Sequence, residues 1–312
     1  MLNFKEQTFG IELEFTGITR KQAAAAIAKT IRGDYNYSRE ASYDRRTIHG
    51  PDGRKWSVCS DSSVSGSYSG NGGEFVTPIC TYTDIETVQE CIRALRKAGA
   101  KVDNSCGLHI HVGADKHNAK TLKNLVFTFR AKENLIYKAV GAEDRMDNSY
   151  CKPIDDRLVN NIKKVKNIDI NKLADTWYST YAPGQSRSAH YNDSRYHGLN
   201  LHSVWYHGTV EFRLFHATLH AGEVRAYINL VLAMSAQAIN SKRASADVLE
   251  NGNDKYAMRC WLLRLGFIGD EYKTVRQHLL KKLEGNAAWR NDPTTYASYN
   301  AQRAANAAQA TA

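Results

Sequence analysis

Three short runs of this chain share a two-residue alternation, and each carries ionisable groups where a core strand would have none. They are "FGIELEF" (residues 9–15), "CGLHIHVG" (106–113) and "GTVEFRLF" (208–215). Side chains alternate faces along a strand, so Ile11, Leu13 and Phe15 point one way and Glu12 and Glu14 the other. The same rule sets Leu108, Ile110 and Val112 against His109 and His111, and Val210, Phe212 and Leu214 against Glu211, Arg213 and Phe215. A sheet built from these strands has one apolar face and one chemically active face. Same-face neighbours lie roughly 7 Å apart along a strand, so Glu12 and Glu14 repel by about 2 kcal/mol at an effective dielectric of about 20. Unless water solvates them fully, something positive belongs between them.

Further acids join this face. In "KWSVCSD", Trp56, Val58 and Ser60 alternate with Ser57, Cys59 and Asp61, which puts Asp61 at a strand end beside the glycine-rich loop "SSVSGSYSGNGG". Glu74 opens the next strand, "EFVTP". The candidate set is therefore Glu12, Glu14, Asp61, Glu74, His109, His111, Glu211 and Arg213. Carboxylates with an occasional imidazole suit Mg²⁺ or Mn²⁺, whereas zinc favours cysteine or histidine cages. Magnesium beside an arginine points to phosphate chemistry. Each residue also has a plain structural reading: Glu14 as a salt-bridge partner, Asp61 as a turn acid, Arg213 as a cross-strand partner of Glu12 or Glu14. Together those readings leave an acidic face with no cation. His190, His197, His202, His207, His216 and His220 crowd around the third run without the spacing of a compact metal site, and His202 is expected on the same strand face as Asn200.

The rest of the chain frames these strands. An alanine-rich helix is expected near 19–32, a "PDG" hairpin turn before "KWSVCSD", and a helix over "TDIETVQECIRALRKAG" with Thr83 and Glu86 in capping-box positions. A long helix spans about 118–140, short helices and polar loops follow to about 195, and "YHG" turns a hairpin from "YHGLNLHSVW" into "GTVEFRLF". "AGEVRAYINLVLAMSAQAI" reads as a buried helix behind them. The expected fold class is α+β, with residues 1–245 as the catalytic unit, 246–285 as a helical extension packed on it, and 286–312 as a flexible tail. No apolar run reaches the ~18 residues of a membrane span, and "MLNFKEQTFGIELEF" has no signal region. The six cysteines form no CxxC pair, which suits a reducing cytoplasm. A net charge of +10 implies an anionic partner, and nucleic acid stays open on that ground.

The runs "FGIELEF", "EFVTPI", "CGLHIHVG", "RYHGLNL" and "TVEFRLF", in that order, resemble the amidoligase family of ATP-dependent carboxylate–amine ligases related to glutamine synthetase and glutamate–cysteine ligase. The resemblance covers about residues 8 to 240, excluding the loop at 62–73 and the stretch 141–190. It implies a curved, largely antiparallel sheet lining a funnel and backed by helices. It also implies ATP with two or more Mg²⁺ or Mn²⁺ ions, a carboxylate substrate and an amine substrate. By the same resemblance Glu12, Glu14, Asp61, Glu74, His109 and Glu211 hold metal, His111 approaches the nucleotide phosphates, Arg213 faces the transferred phosphoryl group, and Asn200 and Arg195 contact nucleotide or substrate.

A rival class competes for the histidines. An HUH-type nuclease or replication initiator binds metal through a His-x-His strand and attacks DNA with a tyrosine. It leaves Glu12, Glu14, Glu211 and Arg213 unexplained, and Tyr227 in "AYINL" reads better as a packing residue. Cys106, another conceivable nucleophile, begins the histidine strand and reads as a small buried residue.

Overall fold

The computed structural model describes residues 1–37, 43–64, 66–248, 252–290, 301 and 303. In chain order the elements are β1 (Phe9–Thr19), α1 (Arg20–Ile31), β2 (Asp34–Tyr37), β3 (Arg46–His49), β4 (Lys55–Cys59), β5 (Asn71–Val76), α2 (Ile85–Lys97), β6 (Gly107–Gly113), α3 (Ala119–Val140), α4 (Asp156–Lys164), α5 (Ile170–Tyr181), β7 (Leu199–Asn200), α6 (His202–His207), β8 (Thr209–His216), α7 (Ala221–Asn240), α8 (Asp254–Arg264) and α9 (Lys273–Leu280). The strands form one eight-stranded sheet in the order β2-β3-β4-β5-β1-β6-β8-β7. Every strand pairing in it is antiparallel. The fold is thus a mixed one, an antiparallel sheet with helices.

The alternation in β1 does what its pattern requires: Ile11, Leu13 and Phe15 are buried in the apolar core with Leu108, Ile110 and Val112 of β6. Helix α1 packs on β3, β4 and β5, α7 on β6, and α3 on β8, which seals that face. Thr19 and Gln22 form a capping box that starts α1, and Asn118 with Thr121 forms the one that starts α3. The box before α2 lies two residues earlier than Thr83 and Glu86. Thr81 and Asp84 supply it, because a 3-10 turn at Tyr82–Asp84 leads into the helix. The "PDG" turn joins β3 to β4, with Gly53 at φ 77.

Three further expectations are corrected by backbone geometry. Glu74 lies within β5 rather than opening it, since pairing reaches back through Gly73, where a Cβ would sit 2.3 Å from the Cys59 carbonyl oxygen. Asp61 lies two residues past the end of β4, and its carboxylate accepts from the Ser63 N–H and hydroxyl. "HSVWYH" is a helix, α6, and only Leu199 and Asn200 pair with β8 as β7. Gly208, at φ 73, ends that helix and turns the chain into β8.

The third run contains a bulge. Ile110 pairs with Phe212, but Leu108 pairs with Phe215, so one extra residue of β8 stands opposite His109. That insertion reverses the alternation beyond it and moves Phe215 to the core face, where it stacks on Tyr227 at 4.7 Å. Tyr227 is therefore a packing residue. The C-terminal helices α8 and α9 lie against α3, and α9 also against α7. Of the expected tail, only 286–290, 301 and 303 fall within the described residues. The cysteines are free, and among the described residues no helix is long and apolar enough to cross a membrane.

Candidate metal centre

Strand register, more than loop placement, assembles the ionisable face. Across β1 and β6, Glu12 lies opposite His109; across β6 and β8, His111 lies opposite Glu211; across β1 and β5, Glu14 lies opposite Glu74. The bulge opposite His109 re-aims Arg213, whose Nη1 donates to Glu211 Oε1 at 2.5 Å. Asn200, next to Glu211 on β7, donates to Glu211 Oε2 at 2.6 Å. Glu14 accepts the Gly107 N–H at 2.5 Å. Glycine leaves room here: a Cβ at Gly107 would lie 3.3 Å from His109 Nε2 and 3.2 Å from Arg145 Nη2, so both side chains would have to give way.

Three overlapping triads result, each with ligand atoms within 4.8 Å of one another: Glu12, Glu74 and His109; Glu12, His111 and Glu211; Glu14, Asp61 and Glu74. Glu12 and Glu74 each serve two triads. His109 Nδ1 lies 3.2 Å from Glu12 Oε2 and 3.6 Å from Glu211 Oε1. His111 Nε2 lies 3.5 Å from Glu12 Oε1 and 3.8 Å from Glu211 Oε1. Glu14, His109, Glu211 and Arg213 are 4%, 7%, 4% and 6% exposed, so this is a buried charge cluster and not a solvated strand face.

The electrostatics divide the cluster. Burial works to raise Glu211, yet Arg213, then His111 and His109, hold it at about 2. Burial likewise opposes ionisation of Glu12, and the neighbouring His111 and His109 outweigh it, so Glu12 sits well below the usual carboxylate range. His111 is raised despite its burial because Glu211 and Glu12 face it. On the other side Glu74 is pushed well above the usual range, by burial first and then by Glu12, Asp61 and Glu14. Glu14 is raised as well, chiefly by burial. Cation binding fits this donor set. The triads are oxygen-rich, like charges converge on Glu74, and His111 Nε2 and Arg213 Nε are buried without a hydrogen-bond partner.

Comparison with known proteins identifies a family. The family model described as "Putative amidoligase enzyme" matches residues 5–235. The chain belongs to the amidoligase family. No curated protein matches it in sequence. A crystal structure of a bifunctional glutathione synthetase from Pasteurella multocida matches at a TM-score of 0.43 and 11% identity, over 89% of this chain and 47% of that one. The chain thus spans about half the length of that protein.

Of the residues singled out in this amidoligase sequence, Glu12, Glu14, Asp61, Glu74, His109, His111, Glu211, Arg213 and Asn200 converge on one site. Arg195 is held by contacts outside the triads. Its Nη1 donates to the His190 carbonyl, and its guanidinium lies 5.6 Å and 5.8 Å over the rings of Tyr191 and Tyr196. Asn200 does not present its amide outward: one end holds Glu211 and the other accepts the His202 N–H. His111 belongs to one of the three triads, as His109 does.

Some residues were not found from the sequence. Gly107 shares the face of His109 and His111, and alternation alone would have marked it. Arg145 and Cys151 carry no local signal. Arg145 Nη2 donates to Cys151 Sγ at 3.0 Å and to the Arg213 carbonyl at 3.3 Å, and Cys151 Sγ donates to the same carbonyl at 3.2 Å. They pin the backbone of the bulge that aims Arg213. A groove of about 510 Å³ runs from Glu12 and His111 over Gly10 to Thr77, Ile79 and Lys116, giving this amidoligase an open approach to one side of the cluster.

Proposed function

We propose that this chain is an ATP-dependent carboxylate–amine ligase. The observation that carries the reading is the overlap of three carboxylate-rich triads beside a buried, bulge-aimed arginine, with an open groove that reaches Glu12 and His111. A carboxylate is a poor electrophile, because direct displacement would expel oxide. In the proposed reaction its oxygen attacks the γ-phosphorus of ATP and ADP leaves; an amine then attacks the acyl carbon and phosphate leaves. The sum is ATP, acid and amine giving ADP, phosphate and amide.

Glu12, His111, Glu211, His109, Glu74, Glu14 and Asp61 would hold Mg²⁺ or Mn²⁺, which when bound offsets phosphate charge. Arg213 keeps its charge because Glu211 outweighs the cost of its burial. It is thereby available to stabilise the phosphoryl group in flight. The groove beside Glu12 and His111 seats the nucleotide, and the acid substrate approaches from the Glu14 and Asp61 side. Residues 1–245 form the catalytic unit, with α8 and α9 as its extension.

The experiment is ATP turnover with Mg²⁺ or Mn²⁺ across a panel of carboxylates and amines, read by phosphate release and product mass, with Glu12→Gln and Arg213→Ala as controls. Phosphate release that needs both substrates, with a condensation product and inert controls, establishes the ligase. Nicking of single-stranded DNA with a covalent protein adduct, and no ATP consumed, would establish the nuclease reading instead.

A further inference from the structure

We infer that α6, the short helix standing where the sequence suggested a strand, orients two of the candidate ligands, Glu211 and His111; this rests on the metal reading above. Two hydrogen-bond chains leave it. In the first, the Tyr178 hydroxyl on α5 meets His202 Nδ1 at 2.7 Å. The backbone N–H of the same His202 donates to Asn200 Oδ1 at 2.8 Å, and Asn200 Nδ2 donates to Glu211 Oε2 at 2.6 Å. With Oδ1 taken, Asn200 can present only its NH₂ group to Glu211, so the amide has one orientation and the carboxylate follows it.

The second chain serves the histidine. Ser203 on α6 and Thr209 at the start of β8 share a hydroxyl contact of 2.8 Å, and Thr209 Oγ1 meets His111 Nδ1 at 2.9 Å. With Nδ1 engaged, Nε2 is the atom that faces Glu12 and Glu211. Tyr178, Asn200, His202 and Ser203 are buried, so water is a poor substitute for any lost link. Both chains converge on the triad Glu12, His111 and Glu211. Among the described residues, no hydrogen bond joins α6 to Glu14, Asp61 or Glu74. Partners that fix the orientation of metal ligands typically change metal affinity by about 10- to 100-fold. Tyr178, Asn200, His202, Ser203 and Thr209 are therefore positioning residues for one part of the centre.

The test is a Mn²⁺ titration of the full chain, followed by electron paramagnetic resonance of the free ion, on the unaltered protein and on Thr209→Val, Thr209→Ser and Tyr178→Phe. Glu14→Gln identifies the binding class that belongs to the acid triad, and melting temperatures confirm folding. The expected result is that Thr209→Val and Tyr178→Phe weaken one Mn²⁺ class about tenfold, Thr209→Ser restores it, and the acid-triad class is unmoved. Unchanged affinity in the folded Thr209→Val and Tyr178→Phe proteins, or a loss that Thr209→Ser does not repair, overturns the positioning role alone. Absence of Mn²⁺ binding by the unaltered chain overturns the metal reading and this inference with it.

Discussion

Glu12 and Glu14 are two residues apart on one strand and share one face, yet their surroundings drive them in opposite directions. On the β6 and β8 side, His109, His111 and Arg213 already balance Glu12 and Glu211, and those carboxylates are held low. On the β5 side, Glu14 and Glu74 face each other across the strands with Asp61 nearby, and both glutamates are pushed up. One side has its carboxylates offset by neighbouring histidines and an arginine; on the other, carboxylates face carboxylates. The difference explains how a single sheet face can keep so many acids buried. Under the proposed function, the side with built-in cations handles the phosphoryl group beside its own metal triad, and the acid side depends most on a bound cation.

The most severe way to break this division is Glu12→Gln, because Glu12 belongs to a triad on each side. Loss of a ligand common to two cation sites is expected to lower kcat by roughly 10³-fold or more, several kcal/mol of transition-state charge stabilisation. Steady-state phosphate release is the measurement, and retention of a tenth of the native rate would remove Glu12 from the centre. Arg213→Ala comes next. It removes the built-in cation and strands Glu211, and it should lower kcat by about 10²- to 10³-fold while Mn²⁺ still binds. If Arg213→Ala instead abolishes Mn²⁺ binding and leaves kcat unchanged at saturating metal, the assignment of tasks is reversed.

Glu74→Gln probes the opposite side through stability. Replacing a half-buried carboxylate that faces Glu14 removes like-charge repulsion, so the metal-free protein should melt higher than wild type. The variant should also lose much of the melting-temperature gain that Mn²⁺ gives the wild type, since fewer charges remain for the ion to offset. Thermal scans with and without Mn²⁺ decide it. A metal-free Glu74→Gln protein that melts lower, with the metal gain intact, would show that Glu74 is held by contacts and not strained by its neighbours.

How much of this was legible in the sequence follows from range. The acids and histidines could be read because strand alternation is local, and β1 from Phe9 to Leu13 and the β6 residues paired with it obey it without interruption. The bulge could not: whether Arg213 or Leu214 is the extra residue is decided by pairing with a strand a hundred residues earlier. Phe215 was placed on the wrong face for that reason. The α6 segment was misread because six residues are too few to display a helical period, although Gly208 after it is an ordinary helix stop. Arg145 and Cys151 act on Arg213 only after folding brings their segment under β8. Positions set by local pattern were visible, and positions set by register or by long-range contact were not.

Glu133 supplies the smallest and sharpest test, because it is a buried carboxylate outside the site. Burial pushes it up to about 8, and the Ile154 N–H that it accepts does not bring it back down. Its folded pKa therefore lies above that of the unfolded chain, near 4.5. Between those two values the native state binds more protons than the unfolded state, so this group lowers stability as pH rises from about 4.5 to about 8 and adds no further loss above that. Glu133→Gln keeps an acceptor for Ile154 and removes the proton. The variant should match wild type near pH 5 and melt at least about 2 °C higher near pH 8.5, with ATP turnover and Mn²⁺ affinity unaltered. Glu74→Gln, raised by neighbours as well as by burial, should instead change its metal response. If Mn²⁺ shifts the melting of Glu133→Gln and Glu74→Gln to the same extent, burial alone explains both carboxylates, and the contrast between the two sides of the sheet face disappears.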